Sequence, residues 1–378
     1  MKINKLSNIL VLTIFIVILF ITSNAIGGIK SKISDKVLNL QKLPQTYSFV
    51  VAGHTYGTPS ASMYPAASLM GSIPLLNSLN LDFMMLLGDV IQHQGAGDGL
   101  GELETQIFKK SLIDKLEFPV FNSPGNHDLG NPDLYEKYFG ETYFHFQKSS
   151  ELYVVLNTQL GPNFSNRPQI DFILNLIKLA AKDKKIKNVF IFHHTTVWAV
   201  DNYPINTINP WTNGPASESN DYEKIILPAL NLLAKEKGVY LLSGDIGIRN
   251  YKLGKYPQKQ FGTFFQKHNN ITYIATGLSE NNEDSVVKVD VSSNGEVLFK
   301  LVSLSDTNLL NIEEYNLEYW KNKNKVDVPK KQSMLNNIKE KIKFILLSYF
   351  SLFVLGAALL LTLAFLYIIF LRHQLTKK

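Results

Sequence analysis

Cysteine is absent from the 378-residue chain. Disulfide bonds and thiolate metal sites are therefore excluded, and any bound metal must be held by nitrogen and oxygen atoms. The lack of disulfides does not assign a compartment, because proteins without cysteine occur on both sides of a membrane.

A concentrated basic surface and internal repeats are missing as well. The net charge is +6, with 38 lysines and arginines against 32 acidic residues, and the lysines are scattered along the chain. No groove-like cluster of basic and aromatic residues is visible, so nucleic acid is not an expected partner. Apolar residues make up 45% of the chain and aromatic residues 11%, which is enough for a sizeable core in one large domain.

Apolar runs alternate with segments of helical spacing between about residues 47 and 302. This alternation predicts an α/β domain. The predicted strands are residues 47–52, 83–87, 118–121, 153–157, 187–192, 239–243, 271–276, 286–291 and 297–302, and the predicted helices are residues 66–79, 102–116, 168–181 and 222–237.

Two of the predicted strands end in residues that can bind a cation. Gly88-Asp89 follows the apolar run 83–87, and Gly125-Asn126-His127-Asp128 follows the run 118–121. Glycine lets the backbone turn sharply, and an aspartate or asparagine oxygen then points at a hard cation in the crevice at the strand ends. The histidine and aspartate of the second motif can supply acid or base function beside that cation.

These motifs, together with Val189-Phe190-Ile191-Phe192-His193-His194, resemble the conserved blocks of the calcineurin-like metallophosphoesterases. The resemblance runs from about residue 47 to residue 304. It implies an α/β fold in which a sandwich of two mixed sheets is flanked by helices, with a metal site on loops at the strand ends. It also implies hydrolysis of phosphate mono- or diesters that depends on one or two divalent metal ions. These ions would be manganese, iron, zinc or magnesium.

The first and last blocks depart from the family pattern. The first block, usually Gly-Asp-x-His-Gly, reads Gly53-His54-Thr55-Tyr56-Gly57 here, and the last, usually Gly-His-x-His, reads Gly244-Asp245-Ile246-Gly247. Three of the four expected ligands of one metal are therefore changed, and only the shared aspartate remains. The ligands that the resemblance implies for the other metal are Asp89, Asn126, His193 and Asp245. We therefore expect one tightly held cation and a weak or empty neighbouring site.

The remaining candidate residues surround this metal set. The resemblance implies that His127 protonates the leaving oxygen and that Asp128 orients its ring. His54 is either a replacement metal ligand or a residue without a metal role. His194 is either a substrate-binding group or a packed core histidine, and His93 is either a substitute ligand or a surface residue.

Two functions follow from the altered ligand set. The first is a membrane-anchored, metal-dependent phosphoesterase acting on a phosphorylated small molecule or a surface phosphoester. The second is a catalytically degenerate domain that binds a phosphorylated ligand or protein partner. The retained His127 and Asp128 favour the first, and the changed end blocks favour the second.

Both ends of the chain carry apolar segments. Residues 9–21 follow two lysines and precede small residues, so residues 1–25 are a signal peptide or an uncleaved N-terminal anchor. Residues 344–371 contain no charge and would form a helix of about 42 Å, long enough to cross a bilayer. The predicted phosphoesterase domain is residues 44–305, followed by a charged linker over residues 306–343 and the transmembrane helix over residues 344–371.

Two sequence signals bear on the orientation of this anchor, and they point in opposite directions. Lysines before the C-terminal segment outnumber basic residues after it, which favours a cytoplasmic domain, whereas the first apolar segment usually dominates and long domains translocate regardless of charge. We expect a cell-membrane protein with a single-pass C-terminal anchor and an extracytoplasmic catalytic domain.

Overall fold

The computed structural model describes residues 27–40, 46–57, 62–93, 99–161, 166–200, 203–204, 221–247, 262–279 and 282–323. The strands are β1 (Gly28–Lys30), β2 (Val37–Asn39), β3 (Thr46–Ala52), β4 (Phe83–Leu86), β5 (Val120–Asn122), β6 (Phe144–Lys148), β7 (Glu151–Val155), β8 (Asn188–His193), β9 (Ala199–Val200), β10 (Tyr203–Pro204), β11 (Gly238–Ser243), β12 (Thr263–His268), β13 (Ile271–Thr276), β14 (Ser285–Ser292) and β15 (Val297–Ser303). The α-helices are α1 (Ala67–Gly71), α2 (Ile73–Ser78), α3 (Leu100–Ser111), α4 (Pro132–Phe139), α5 (Arg167–Lys182), α6 (Leu227–Leu233) and α7 (Leu317–Lys323).

Most strands belong to two mixed sheets. One has five strands in the order β15-β14-β3-β4-β5, and the other has six in the order β12-β13-β11-β8-β7-β6. The central strands of each sheet are parallel, whereas β12, β6, β14 and β15 pair in antiparallel fashion. The predicted α/β fold with two mixed sheets is confirmed.

The two sheets pack face to face around aromatic side chains. Phe49 and Phe83 of one sheet stack with ring centroids 4.6 Å apart, and Phe49 meets Phe190 of the other sheet edge-on at 5.5 Å. Two further buried clusters lie on the outer faces, where α5, α6 and α7 cover the six-stranded sheet and α1, α2 and α3 cover the five-stranded sheet. Parallel strands buried on both faces explain the continuous apolar runs in the sequence.

Helix α5 shows why these segments are helical. Its buried residues recur at intervals of three or four, at Ile170, Ile173 and Ile177 among others, so one face points at the sheet. The Asn166 side chain accepts the backbone amide of Gln169 at 3.1 Å and caps the first turn.

Prolines alter two of the predicted helices. The predicted helix 66–79 is divided at Ser72 into α1 and α2, with Pro74 in the first turn of α2. The predicted helix 222–237 begins as a π-helical turn, Tyr222–Ile226, and becomes α-helical with Pro228 in its first turn. Proline has no amide hydrogen to donate to the preceding turn, so the regular hydrogen-bond ladder is interrupted at both places.

The folded region differs from the predicted domain of residues 44–305 at both ends. Residues 28–39 form the β1–β2 hairpin, and its Leu38 is 2% exposed in the core between the sheets. Beyond residue 305, where a charged linker was expected, Ile312 and Trp320 are each 1% exposed. Isolated apolar residues in polar segments give little periodicity, so the sequence pattern does not reveal either contact.

The apolar segments within residues 1–25 and 344–371, and the linker from residue 324, lie outside the described residues. Within the described ranges, no helix combines the length and apolarity needed to cross a membrane.

Candidate metal centre

Four side chains converge where strands of both sheets end. His54 follows β3 and Asp89 follows β4, which are parallel neighbours. His194 follows β8 and Asp245 follows β11, and these strands are also parallel, with His193 opposite Ser243. Because parallel strands end at the same edge of a sheet, the loops after them meet in one crevice. These four residues form the metal cluster discussed below.

The backbone around the cluster is tightly fitted. Gly125 lies so close to Asp89 that a Cβ atom there would be 2.2 Å from Asp89 Oδ1. His54 and Asp89 themselves have φ values of 49° and 53°, in the left-handed region that non-glycine residues seldom adopt. Such conformations persist where the surrounding structure enforces them, and they concentrate at functional sites.

The cluster joins two imidazoles to two carboxylates. His54 Nε2 lies 2.9 Å from Asp89 Oδ2, and His194 Nε2 lies 3.5 Å from Asp89 Oδ1 and 3.6 Å from Asp245 Oδ1. One potential ligand atom from each of His54, His194 and Asp245 falls within 4.8 Å of the others. His194 and Asp245 are fully buried, and Asp89 is 1% exposed.

Charge explains the unusual state of Asp89. Burial alone would raise the pKa of its carboxyl, but His194 and the hydrogen bond with His54 lower that pKa below the ordinary value of 3.8. Asp89 is therefore ionised at neutral pH, as a metal ligand must be.

The donor set fits a divalent cation. His194 Nδ1 lies 2.7 Å from the Leu87 carbonyl oxygen and must donate to it, so Nε2 is the ring nitrogen directed at the two carboxylates. That buried Nε2 has no hydrogen-bond partner among the described residues and faces the two carboxylates. An unsatisfied buried nitrogen is costly, and a cation between it and the carboxylates would satisfy it. Mixed nitrogen and oxygen ligands suit manganese, iron or zinc.

The structure reverses the roles that the sequence predicts for His193 and His194. His194, expected as a substrate-binding or core residue, belongs to the cluster. His193, expected as a ligand, is buried with Nδ1 2.8 Å from the Thr195 carbonyl oxygen, and burial lowers its pKa to about 4. Among the described residues, the ligand atoms that come together are those of His54, His194 and Asp245, and His193 is not one of them.

The altered block positions also lie beside the cluster. Gly247, where the family has a histidine, is so close to His54 that a Cβ atom would be 3.2 Å from His54 Nδ1. The Tyr56 ring lies 5.5 Å from the His54 ring and 5.4 Å from the His127 ring, centroid to centroid. The missing side chain at Gly247 thus leaves room for His54, and Tyr56 fills the space between two histidines.

Asp128 holds the loops of the centre together. Its carboxylate accepts the backbone amides of Asp89, Val90, Ile91 and Gly125 at 2.8–3.1 Å. Burial and the neighbouring Asp89 raise its pKa above the ordinary value of 3.8. Asp128 is predicted from the sequence to orient the His127 ring, whereas these contacts show that it positions the backbone around Asp89.

His127 and Asn126 occupy the turn after β5. The His127 amide donates to Asp89 Oδ1 at 3.1 Å, and its Nδ1 lies 3.1 Å from the Gln92 carbonyl oxygen. Asn126 is exposed in the same turn, and its role as a ligand remains a prediction. His93, three residues after Val90, is 29% exposed with Nδ1 3.2 Å from Glu104, outside the metal cluster.

Glu104 is not among the functional residues predicted from the sequence, yet it is only 2% exposed. A signal for it exists, because Glu104, Phe108 and Leu112 recur at four-residue intervals on the buried face of α3 and its C-cap. An acidic residue in register with buried apolar residues on a helix points to a buried hydrogen-bonding task.

Comparison with known proteins agrees with this architecture. A family model described as calcineurin-like phosphoesterase matches residues 66–277, more than half of the chain. The serine/threonine-protein phosphatase CPPED1 of Pongo abelii is 29% identical over 137 residues, covering 32% of this chain and 43% of that protein. The chain therefore matches less than half the length of this curated relative.

One solved structure shows the same fold at low sequence identity. The purple acid phosphatase PPD1 from yellow lupin (Lupinus luteus) seeds has a TM-score of 0.51 at 12% identity, covering 73% of this chain and 56% of that one. A dimetal phosphatase from Danio rerio has a TM-score of 0.48 at 13% identity, covering 70% and 98%. With the family model spanning the region that supplies Asp89, His194 and Asp245, the chain belongs to the calcineurin-like phosphoesterase family.

Proposed function

We propose that this protein is a metal-dependent phosphoesterase that hydrolyses phosphate mono- or diesters. The observation that carries the proposal is the metal cluster of His54, Asp89, His194 and Asp245. In it the buried His194 Nε2 faces two carboxylates and has no hydrogen-bond partner among the residues that the structure describes. The relatives named as phosphatases support the same reaction class.

A bound divalent cation would supply polarisation of a phosphoryl oxygen and activation of a water molecule. The chain's own residues would then position the reactants. Asp89 and Asp245 bring negative charge to the floor of the crevice, and His127 stands at its rim as the group that donates a proton to the leaving oxygen. General acid catalysis of this kind contributes roughly 10²–10⁴-fold to a rate.

One tightly held cation is favoured over two. Tyr56 and Gly247 stand where the family has histidine ligands, and His54 is hydrogen-bonded to Asp89. The same substitutions favour the second candidate function, a domain that binds a phosphorylated ligand without turnover.

Metal analysis and hydrolysis together separate the two functions. The full chain, purified in detergent, is loaded with manganese, iron or zinc and desalted, and is then assayed with p-nitrophenyl phosphate and bis(p-nitrophenyl) phosphate. We expect about one equivalent of metal and hydrolysis that Asp89→Asn abolishes, whereas Asp171→Asn, an exposed change on α5, leaves both intact. Metal binding without hydrolysis of either ester would favour the binding-only function, and no bound metal would contradict the proposal.

We further propose that residues 344–371 hold the domain at the outer face of a membrane. The support is the uncharged length of this segment and the signal-like residues 1–25. Protease added to intact cells or spheroplasts that express the full chain should digest the domain. Protection in intact cells with digestion after lysis would place the domain on the inner face instead.

A further inference from the structure

A buried glutamate lies behind the loop that follows Asp89. Glu104 of α3 is 2% exposed, and it accepts the amide of Gln92 on Oε1 at 3.0 Å and the amide of His93 on Oε2 at 2.7 Å. His93 Nδ1 also lies 3.2 Å from Oε2. A buried carboxylate with three donors is held in one place.

The same loop contacts His127 from the other side. The Gln92 carbonyl oxygen lies 3.1 Å from His127 Nδ1. The Gln92 carbonyl and the His93 amide belong to one planar peptide group. The peptide between residues 92 and 93 therefore has the Glu104 carboxylate at its N–H and the His127 imidazole at its C=O.

This arrangement fixes the proton on His127. A carbonyl oxygen can only accept, so His127 Nδ1 must carry the hydrogen, and Nε2 is left as the atom that exchanges a proton with a ligand. A carboxylate hydrogen-bonded to the peptide N–H polarises the group and strengthens the bond that its carbonyl accepts.

We propose that Glu104 is a positioning residue for His127, acting through the peptide group between Gln92 and His93. Glu104 fixes the tautomer and ring orientation of His127 without touching a substrate, in the way that a carboxylate bonded directly to an imidazole does elsewhere. The effect on tautomer is independent of turnover, and the effect on catalysis rests on the proposed phosphoesterase function.

The tautomer is measured directly by nitrogen NMR of the ¹⁵N-histidine-labelled full chain, at a pH above the histidine titration range, with His127→Ala to assign the signal. We expect the Nδ1–H tautomer for His127 in the unaltered protein and a mixture of both tautomers in Glu104→Gln. Glutamine keeps the shape of glutamate but loses the charge, and neutral hydrogen bonds are roughly half as strong as charge-assisted ones. Glu102→Gln removes a carboxylate from the same helix at a half-buried position, where Glu102 pairs with Lys137, and should leave the His127 signal unchanged.

Kinetics provide the second readout. If the chain hydrolyses p-nitrophenyl phosphate, Glu104→Gln should lower kcat by about tenfold or more, with unchanged KM and metal content. The loss should not exceed the roughly 10²–10⁴-fold that a general acid contributes. Absence of hydrolysis in the unaltered protein would refute the proposed function and leave the tautomer result standing. The Nε2–H tautomer in the unaltered protein, or an unchanged Nδ1–H signal in folded Glu104→Gln, would overturn the role of Glu104.

Discussion

Gly125 has no room for a side chain beside Asp89. A Cβ atom there would lie 2.2 Å from Asp89 Oδ1 and 2.4 Å from its backbone nitrogen, and neither atom can move without breaking the contacts of the loop. We expect Gly125→Ala to lower the free energy of unfolding by about 2 kcal/mol or more, as other strained or overpacked substitutions do.

Gly71 is the matched control for that change. It lies in helix α1 with nothing within 4 Å of a Cβ position, so Gly71→Ala should stabilise the protein by about 0.5–1 kcal/mol. Urea unfolding of both variants measures the difference. Equal stabilities would show that the loop around Asp89 adjusts freely.

The two adjacent histidines should differ in their effect on metal binding. His194→Ala removes the imidazole that faces Asp89 and Asp245, so metal affinity should fall by more than the roughly 10–100-fold that loss of an outer hydrogen-bond partner costs. His193→Ala should leave the affinity closer to that of the unaltered protein, because His193 is not among the described residues whose ligand atoms come together at the cluster. Calorimetric titration with manganese or zinc checks this order, and the reverse order would restore His193 as the ligand.

At this scale the sequence predicts residue types better than residue positions. Asp89, Asp245 and His54 are brought together as candidate ligands, because glycine-aspartate and strand-end motifs fix their place on the loops. The choice between His193 and His194 depends on where β8 ends, and an error of one residue reverses which side chain faces the crevice. Element boundaries are the part of a sequence pattern that is least well defined.

Trp320 is the buried side chain of helix α7, and the partly buried Leu317 and Tyr319 pack beside it. Trp320 is 1% exposed, and its Nε1 donates to the Thr263 carbonyl oxygen on β12 at 2.7 Å. Trp320→Ala should therefore cost about 3–5 kcal/mol, which is usual for an aromatic residue removed from a core. The exposed Tyr64, 56% accessible, provides the control change Tyr64→Ala, with a loss of about 0.5 kcal/mol or less.

Chemical unfolding of both variants tests this. A small loss for Trp320→Ala would mean that residues after 305 form the charged linker that composition suggests. The strands and longer helices are predictable because their apolar residues repeat every two or every three to four residues. An element as short as α7 has one buried residue and no repeat.

The metal cluster takes ligands from both sheets of the molecule. His54 and Asp89 follow strands of the five-stranded sheet, and His194 and Asp245 follow strands of the six-stranded sheet. A cation bound among them would link the two halves of the sandwich, and any ligand that binds only the folded state stabilises that state.

Thermal unfolding should therefore depend on metal concentration. At 100 times the dissociation constant the gain is about 2.7 kcal/mol, and chelator should reverse it. Asp89→Asn is expected to remove the dependence while Asp171→Asn keeps it. A melting temperature that does not respond to metal, with metal shown to be bound, would mean that the cation also binds the unfolded chain.

Asp128 holds the loops of this centre together through hydrogen bonds that do not require a cation. Its carboxylate joins the loops after β4 and β5 through backbone amides, and backbone amides are present whatever side chains those residues carry. The hydrogen bonds that hold the two loops therefore survive a change of side chain at His54, Tyr56, Asp245 or Gly247. A substitution at one of these positions can alter the metal site and leave the loops in place.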